Sequence, residues 1–100
     1  MRSRLTPAAD ADIQDIHGWY RRQREGLALE FKRALDECMV RIQDSPLAYP
    51  KIHGDIRRAL LRRFPYCVFF TVEPTEVAVH GVFHGRRDPK VWRSRHDTTR

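Results

Sequence analysis

The residues best suited to chemistry in this chain of 100 residues are arginines gathered near one histidine. Cations beside a histidine could bind a phosphodiester and stabilise the charge that develops during its cleavage, with the imidazole as acid or base. Without chemistry, the same cations would bind a phosphate backbone or acidic side chains, and a third interpretation is a solvated basic edge of a sheet. The cluster comprises Arg57, Arg58, Arg62, Arg63, His84, Arg86 and Arg87.

Other chemistries find little support in the residue spacing. His80 and His84 lie four residues apart in a predicted strand, about 13 Å along it, which is too far to chelate one ion. Cys38 and Cys67 do not form a CxxC pair and are interpreted as buried thiols. The chain has no nucleophile elbow, phosphate-binding loop or glycine-rich dinucleotide motif. We therefore expect no metal site and no cofactor.

The net charge of +6 is concentrated in one half of the sequence. Residues 1–50 hold eight Lys or Arg and eight Asp or Glu, whereas residues 51–100 hold eleven and five. This asymmetry indicates an anionic partner, either nucleic acid or an acidic protein segment, that is met by one face. Most of the cations are arginines, which suit bidentate contacts with phosphate or carboxylate. A genomic preference for arginine codons would explain the arginine excess but not the asymmetry.

The length and composition allow one compact domain, because the chain has 100 residues of which 41% are hydrophobic and 32% are charged. We expect this domain to span residues 1–95, with residues 96–100 as a disordered tail, and two-domain enzymes are excluded. No apolar run approaches the roughly 20 residues that span a bilayer, and the N-terminus lacks the apolar segment of a signal peptide. A cytoplasmic location without membrane contact is therefore predicted.

Two amphipathic helices are predicted in the N-terminal half. Thr6 and Pro7 form the pair of N-cap and first helical residue that begins a helix of about 16 residues. A short turn containing Gly26 leads to a second helix that ends before Ser45, which makes an antiparallel hairpin. The apolar stripes are Ala9, Ile13, Ile16 and Tyr20 in the first helix and Leu27, Phe31, Leu35, Cys38 and Ile42 in the second.

The C-terminal half is predicted to form a small antiparallel sheet of three to four strands. Residues 66–73 and 77–84 are aromatic and β-branched, so they are expected to pair as a central hairpin. Residues 55–64 fit helical spacing, but the following proline and the need for a third strand favour a strand with a bulge or twist near Arg57 and Arg58. With an edge strand at residues 2–6, the order is β-α-α-β-β-β, an α+β fold with its helices on one side of the sheet.

Three segments of the chain together resemble one known group of proteins. They are Leu5-Thr-Pro-Ala-Ala-Asp-Ala-Asp-Ile, Arg57-Arg-Ala-Leu-Leu-Arg-Arg-Phe-Pro-Tyr-Cys-Val-Phe-Phe and Val82-Phe-His-Gly-Arg-Arg-Asp-Pro-Lys-Val-Trp. Over roughly residues 3–93 the chain is similar to the ParE/RelE superfamily of toxins from type II toxin-antitoxin modules, which includes plasmid-stabilisation toxins. The resemblance implies two helices packed on a small antiparallel sheet.

The resemblance leaves two mechanisms for growth inhibition. RelE-like members are ribosome-dependent endoribonucleases that cut mRNA with basic residues on the sheet and commonly a Tyr or His near the C-terminus. ParE-like members lack that catalytic set and poison DNA gyrase. Here His84 occupies one candidate position, but no Tyr follows Arg87 and no Glu lies on the arginine-rich strand. A ParE-like gyrase poison is therefore favoured, and a ribonuclease that uses His84 is the alternative.

The resemblance also implies a partner. A cognate antitoxin of the ParD kind is expected to wrap around the helical hairpin and the sheet and to form a hetero-oligomer with this chain. Its acidic and apolar side chains would contact the basic face formed by the six arginines of the cluster, which is also the candidate face for the target. Trp19 and Trp92 are candidate interface aromatics, with core packing as the alternative, whereas Tyr20 lies on an apolar stripe and is predicted in the core. An interaction module that has lost toxicity is a further possibility.

Overall fold

Three α-helices and a five-stranded sheet make up the fold in a computed structural model that describes residues 1–98. The elements, in chain order, are β1 (Arg2–Leu5), α1 (Pro7–Gln23), α2 (Glu25–Asp44), a 3₁₀ turn (Pro46–Ala48), β2 (Lys51–His53), β3 (Ile56–Leu60), β4 (Tyr66–Val72), β5 (Glu76–His84) and α3 (Pro89–Thr98). None of the described helices is long and apolar enough to cross a membrane.

The predicted helical hairpin is confirmed. Thr6 caps α1, since its hydroxyl accepts a hydrogen bond from the Ala9 N–H at 3.1 Å, and Pro7 is the first helical residue. The two helices meet at a single extended residue, Arg24, with φ −168° and ψ 131°. Gly26, which was expected in the turn, therefore lies in the first turn of α2. Both apolar stripes face the sheet.

The sheet has the order β1-β5-β4-β3-β2, so the predicted β4–β5 hairpin lies in its interior. β1 pairs with β5 in parallel, with Arg2 opposite Glu76, and the sheet is therefore mixed rather than wholly antiparallel. The expectation of an antiparallel sheet was wrong here because the side chains of a short edge strand carry no information about its direction. β2 was not predicted, since three residues between Pro50 and Gly54 are too few to show an alternating pattern.

Residues 55–64 form a strand only in part. β3 ends at Leu60, and a turn from Leu61 to Pro65 leads into β4. The irregularity expected near Arg57 lies on the β2 side of the strand, because Arg57 pairs with Lys51 but Ile56 pairs with His53, so the register shifts by one residue. On the other side β3 pairs with β4 without interruption from Arg57 to Leu60, and a second shift lies between residues 69 and 70 against β5.

Helices cover both faces of the sheet. The hairpin face, under α1 and α2, carries one cluster of buried residues, and the opposite α3 face carries a second, smaller cluster. The prediction that the helices lie on one side is thus correct for α1 and α2, but α3 was not expected. The tail predicted at residues 96–100 falls on the end of α3 and on positions 99 and 100, which lie outside the described residues. The α3-face cluster is Ile56, Cys67, Phe69, Phe83 and Trp92.

Candidate functional site

One end of the molecule is built from three turns that lie beside one another. They are residues 19–25 between α1 and α2, residues 61–66 between β3 and β4, and residues 84–90 between β5 and α3. Aromatic rings join the first two turns, since the Tyr20 centroid lies 5.2 Å from that of Phe64. The second and third turns are joined by a hydrogen bond of 2.8 Å from the Gly85 N–H to the Pro65 carbonyl. We call these three turns the basic end.

The basic end accounts for the entire net charge of the chain. Its three turns contain eight Lys or Arg and two acids, Glu25 and Asp88, which gives a net charge of +6. The whole chain also has a net charge of +6, so the remaining residues are balanced. The net charge is therefore confined to a smaller part of the folded molecule than the comparison of the two halves of the sequence indicated. The cations are Arg21, Arg22, Arg24, Arg62, Arg63, Arg86, Arg87 and Lys90.

Most of these cations have no acidic partner within the described part of the chain. Arg62 pairs with Glu37 at 2.6 Å, and Arg24 approaches Glu30 at 3.9 Å. The other six are exposed and form no ion pair there, which leaves their guanidinium or ammonium groups available to an anionic partner. These six are Arg21, Arg22, Arg63, Arg86, Arg87 and Lys90.

Arg63 is held in an unusual backbone conformation. Its φ of 70° lies in the left-handed region, which costs a non-glycine residue about 1 to 2 kcal/mol. The turn is closed by a hydrogen bond from the Leu61 N–H to the Tyr66 carbonyl at 2.9 Å, so the flanking strands impose this conformation. Its side chain lines a small cavity with Arg33 and Phe64 beside α2.

The structure separates two of the six arginines that were predicted as one basic face. Arg57 is turned inward, where its guanidinium donates to the carbonyl oxygens of Leu47 and Tyr49 and fastens the 3₁₀ turn to β3. Arg58 pairs with Phe69 in the ladder and so lies on the α3 face. Arg57 and Arg58 therefore lie on opposite faces of the sheet, because neighbouring strand residues point to opposite sides, and the structure does not bring them together with the other four. The other four belong to the basic end.

The two candidate interface tryptophans lie in different surroundings. Trp19 is 50% exposed at the basic end and meets the Tyr20 ring edge to face, with centroids 5.1 Å apart. Trp92 is 7% exposed and stacks on Phe69 at 5.2 Å. Trp92 is therefore a core residue of the α3 face rather than an exposed interface aromatic. Tyr20 packs against the hairpin core, as predicted.

His84 lies at the mouth of a cleft of about 340 Å³ that is also lined by Asp15, Tyr66 and Arg87. Its Nδ1 accepts a hydrogen bond from the Arg86 backbone N–H at 3.1 Å. An accepting Nδ1 places the ring proton of the neutral imidazole on Nε2. Either catalytic role of Nε2, as base or as acid, requires a proton on Nδ1, which would point at the Arg86 N–H. The hydrogen bond from the Arg86 N–H to Nδ1 therefore disfavours proton transfer through Nε2.

The neighbouring groups are also engaged. The Tyr66 ring packs edge to face against Tyr20, with centroids 6.2 Å apart, and the pKa of Tyr20 is raised, chiefly by burial and further by Tyr66. His80 is buried away from His84, and its Nε2 lies 2.9 Å from the Thr71 hydroxyl. Among the residues that the structure describes, no group of three or more His, Cys, Asp and Glu could hold a metal ion.

Sequence reasoning missed the residues that close this cleft on its α3 side. Asp12 of α1 accepts hydrogen bonds from the Val82 N–H at 3.0 Å and from the Arg95 guanidinium at 2.9 Å. Arg95 also donates to the His80 carbonyl at 3.0 Å, and its guanidinium carbon lies 4.7 Å from the centroid of the Phe83 ring. These contacts bind backbone groups on the part of the β5 edge that does not pair with β1. No spacing rule relates positions 12 and 95, so no sequence signal indicates the pair.

The two cysteines are not nucleophiles. Burial raises the pKa of the Cys38 thiol to about 11, and burial also raises the pKa of Cys67. Both side chains are free thiols enclosed by core residues. A high pKa leaves little thiolate at neutral pH, so neither group is suited to nucleophilic chemistry.

A second groove lies away from the basic end, between the hairpin and β1. Its volume is about 240 Å³, and the side chains of Ile13, Leu35 and Met39 form part of an apolar floor. Asp10 and Asp36 lie at its rim, where Asp36 also pairs with Lys32 at 3.4 Å. Leu5 borders the groove and is 43% exposed. The groove could therefore receive apolar side chains of a partner.

Comparison with known proteins identifies the class that this fold and site define. Residues 4–89 match the family described as the ParE toxin of type II toxin-antitoxin system, parDE. The chain therefore belongs to the ParE toxin family, and the resemblance stated from its sequence is confirmed.

A solved structure of a chromosomal ParDE toxin-antitoxin system from P. aeruginosa contains a chain with the same fold. The two chains superpose with a TM-score of 0.74 at 22% identity, over 84% of this chain and 95% of that one. None of the curated protein sequences matches significantly.

Proposed function

We propose that this ParE-family toxin arrests bacterial growth in the cytoplasm by poisoning DNA gyrase, and that a cognate antitoxin neutralises it by forming a hetero-oligomer. Membership of the ParE family supports the toxin role, since the match spans residues 4–89. The hydrogen bond at His84 is the observation that favours gyrase poisoning over RNA cleavage.

A ribonuclease would need a proton carrier at the cleft, and His84 is the side chain best placed there. Its Nδ1 already accepts a hydrogen bond from the Arg86 N–H, and its ring packs edge to face against Tyr66. The imidazole is therefore not arranged for repeated proton transfer through Nε2. The arrangement therefore supports a toxin that acts by binding.

One observation favours the ribonuclease as a second candidate. The cleft brings His84, Arg87 and Asp15 together, and a phosphodiester bound by Arg87 would lie near an imidazole. Substrate contact would then have to break the hydrogen bond between Arg86 and His84. The two candidates make opposite predictions for the same variant.

Growth arrest by a His84→Ala variant tests whether the toxin poisons gyrase or cleaves RNA. Loss of a general acid or base typically slows a reaction by about 10² to 10⁴, so a ribonuclease would lose its toxicity. A gyrase poison should retain it within about threefold, as measured by colony counts after graded induction at equal protein levels. His53→Ala, on the exposed strand β2, is the matched control. Loss of toxicity in His84→Ala alone, together with mRNA cleavage, would contradict gyrase poisoning.

The groove between the hairpin and β1 supports an antitoxin partner. It offers an apolar floor, and further apolar side chains are exposed on the outer surface of α2, with Leu29 at 52% and Val40 at 55%. An antitoxin segment with apolar side chains would bury this surface.

A Leu5→Glu variant would introduce a charge at the border of the groove, and we expect at least a tenfold loss of antitoxin affinity, measured by titration calorimetry. Leu60→Glu is the matched control, since Leu60 is 60% exposed and does not line the groove. Equal weakening by both variants would place the antitoxin elsewhere, and circular dichroism checks that both remain folded.

A further inference from the structure

We propose that the basic end binds a single strand of nucleic acid, with Trp19 stacking on an unpaired base and the surrounding arginines contacting the phosphates. This inference is independent of the target proposed above, because it concerns binding by the chain alone. The cations of the basic end match the charged phosphates of such a strand, and the Trp19 ring matches the flat face of a base.

The charge of the basic end matches a polyanion. Three turns that are distant in sequence bring eight cations together and carry the whole net charge of +6. Six of them form no ion pair within the described residues, and they extend from α1 to the start of α3. Repeated, sequence-independent contacts of this kind suit a phosphate backbone, whose charges are evenly spaced.

Trp19 adds a surface that charge alone does not provide. Its ring is 50% exposed and stands at 80° to the Tyr20 ring, whose contact fixes its orientation. The guanidinium of Arg22 lies in the same part of α1 as Trp19, since its Nη1 is 3.4 Å from the position that a Cβ at Gly18 would occupy. An exposed indole beside cations is the arrangement on which single-stranded bases stack.

The pairing of these features favours a single strand over other anions. In a duplex the bases are already stacked and their faces are not available to Trp19. An acidic peptide would satisfy the arginines, but its carboxylates offer no aromatic face on which the indole could stack. DNA and RNA share the phosphodiester backbone and the exposed base, so the chemistry admits either strand and the experiment distinguishes them.

The test is fluorescence anisotropy of the purified chain with a labelled ten-nucleotide thymidine strand, dT10, in a salt titration from 50 to 200 mM. We expect binding that weakens with salt, with a log–log slope of about −0.7 for each phosphate contacted. Arg86→Gln with Arg87→Gln should weaken binding by about tenfold and reduce the steepness of the slope by about 1.4. The control pair Arg2→Gln with Arg58→Gln removes the same charge outside the basic end and should change affinity by less than twofold.

Trp19→Leu isolates the stacking contribution. It should weaken binding of dT10 by about tenfold while leaving the salt slope unchanged, because no phosphate contact is lost. Binding of the uridine strand rU10 also supports the proposal, and the ratio of its affinity to that of dT10 identifies the natural strand. Equal weakening by both arginine pairs, tighter binding of a ten-base-pair duplex, or equal affinity for a ten-residue polyglutamate peptide would overturn the proposal.

Discussion

The two faces of the sheet share the same strands but are stabilised very differently. Among the described residues, the hairpin face holds thirteen buried side chains in one cluster, whereas the α3 face holds five. Two complete amphipathic helices contribute six residues to the first cluster. The second depends on Trp92 from a helix of ten residues whose side chains are mostly polar. The hairpin face is therefore the main source of stability, whereas α3 is attached to the sheet by a few contacts.

Phe31→Ala tests the hairpin face and should have the largest effect. Phe31 is 0% exposed, and its ring centroid lies 5.7 Å from those of both Tyr20 and Phe64. Removing it leaves a cavity that connects three elements, so the free energy of unfolding should fall by about 3 to 5 kcal/mol in urea titrations. A fall of less than about 1 kcal/mol would show that the hairpin core is not the main source of stability.

Trp92→Ala tests the α3 face and should cost less, about 2 to 3 kcal/mol, because α3 can detach while the rest of the fold persists. Hydrogen exchange distinguishes the two responses. Amides of α3 should exchange much faster in the variant. Amides of β4 should exchange faster only to the extent that the free energy of global unfolding falls. Equal acceleration throughout the chain would mean that the two faces unfold as one unit.

Alkaline pH provides a third test of the hairpin core through Cys38. Its pKa is raised from 9.0 to about 11, so the folded state holds the thiol proton more tightly than the unfolded state does. Stability from this group is complete below pH 9 and is lost as the pH rises towards 11. Between pH 8 and pH 10.5 the unfolding free energy of the wild type should fall by as much as about 2 kcal/mol more than that of Cys38→Ala. Parallel curves for the two proteins would contradict a buried, protonated Cys38.

Asp12→Asn tests the polar contact that joins the two faces across the edge of β5. The pair with Arg95 is partly buried, with side-chain exposures of 20% for Arg95 and 18% for Asp12. An amide keeps one acceptor oxygen but loses the charge, so we expect a loss of about 1 to 2 kcal/mol and faster exchange in α3. Asp10→Asn, an exposed neighbour on the same helix, should change stability by less than about 0.5 kcal/mol. Similar losses in both would show that the Asp12 contact is unimportant.

The hairpin face could be predicted from the sequence because its signals are local and repeated. The stripes ending at Tyr20 and Ile42, and the aromatic strands from residue 66 to residue 84, all lie where their periodicity indicates. The α3 face could not, since Val91 and Trp92 are the only apolar contacts that the described side chains of its helix contribute. One signal was available, because Asp88 and Pro89 repeat the helix start of Thr6 and Pro7, and the Asp88 carboxylate accepts from the Lys90 N–H at 3.0 Å.

The sequence indicated some of the arginines of the basic end but not how the fold brings them together. The sequence identified Arg62, Arg63, Arg86 and Arg87, and their position on turns at one end follows from the ladder between β4 and β5. It did not reveal that the turn after Tyr20 brings further arginines to the same end, because those residues lie in the half of the chain with no net charge. Proximity through tertiary structure leaves no trace in a linear count of charge.

The central claim, that this ParE-family toxin poisons gyrase, is tested most directly by incubating the purified chain with DNA gyrase, ATP and supercoiled plasmid, then trapping with detergent and protease. We predict linear plasmid that accumulates with toxin concentration and disappears when the antitoxin is added first. His84→Ala should give the same result as the wild type. A plasmid that remains intact at saturating toxin, while mRNA on translating ribosomes is cut by the wild type and not by His84→Ala, would contradict the claim.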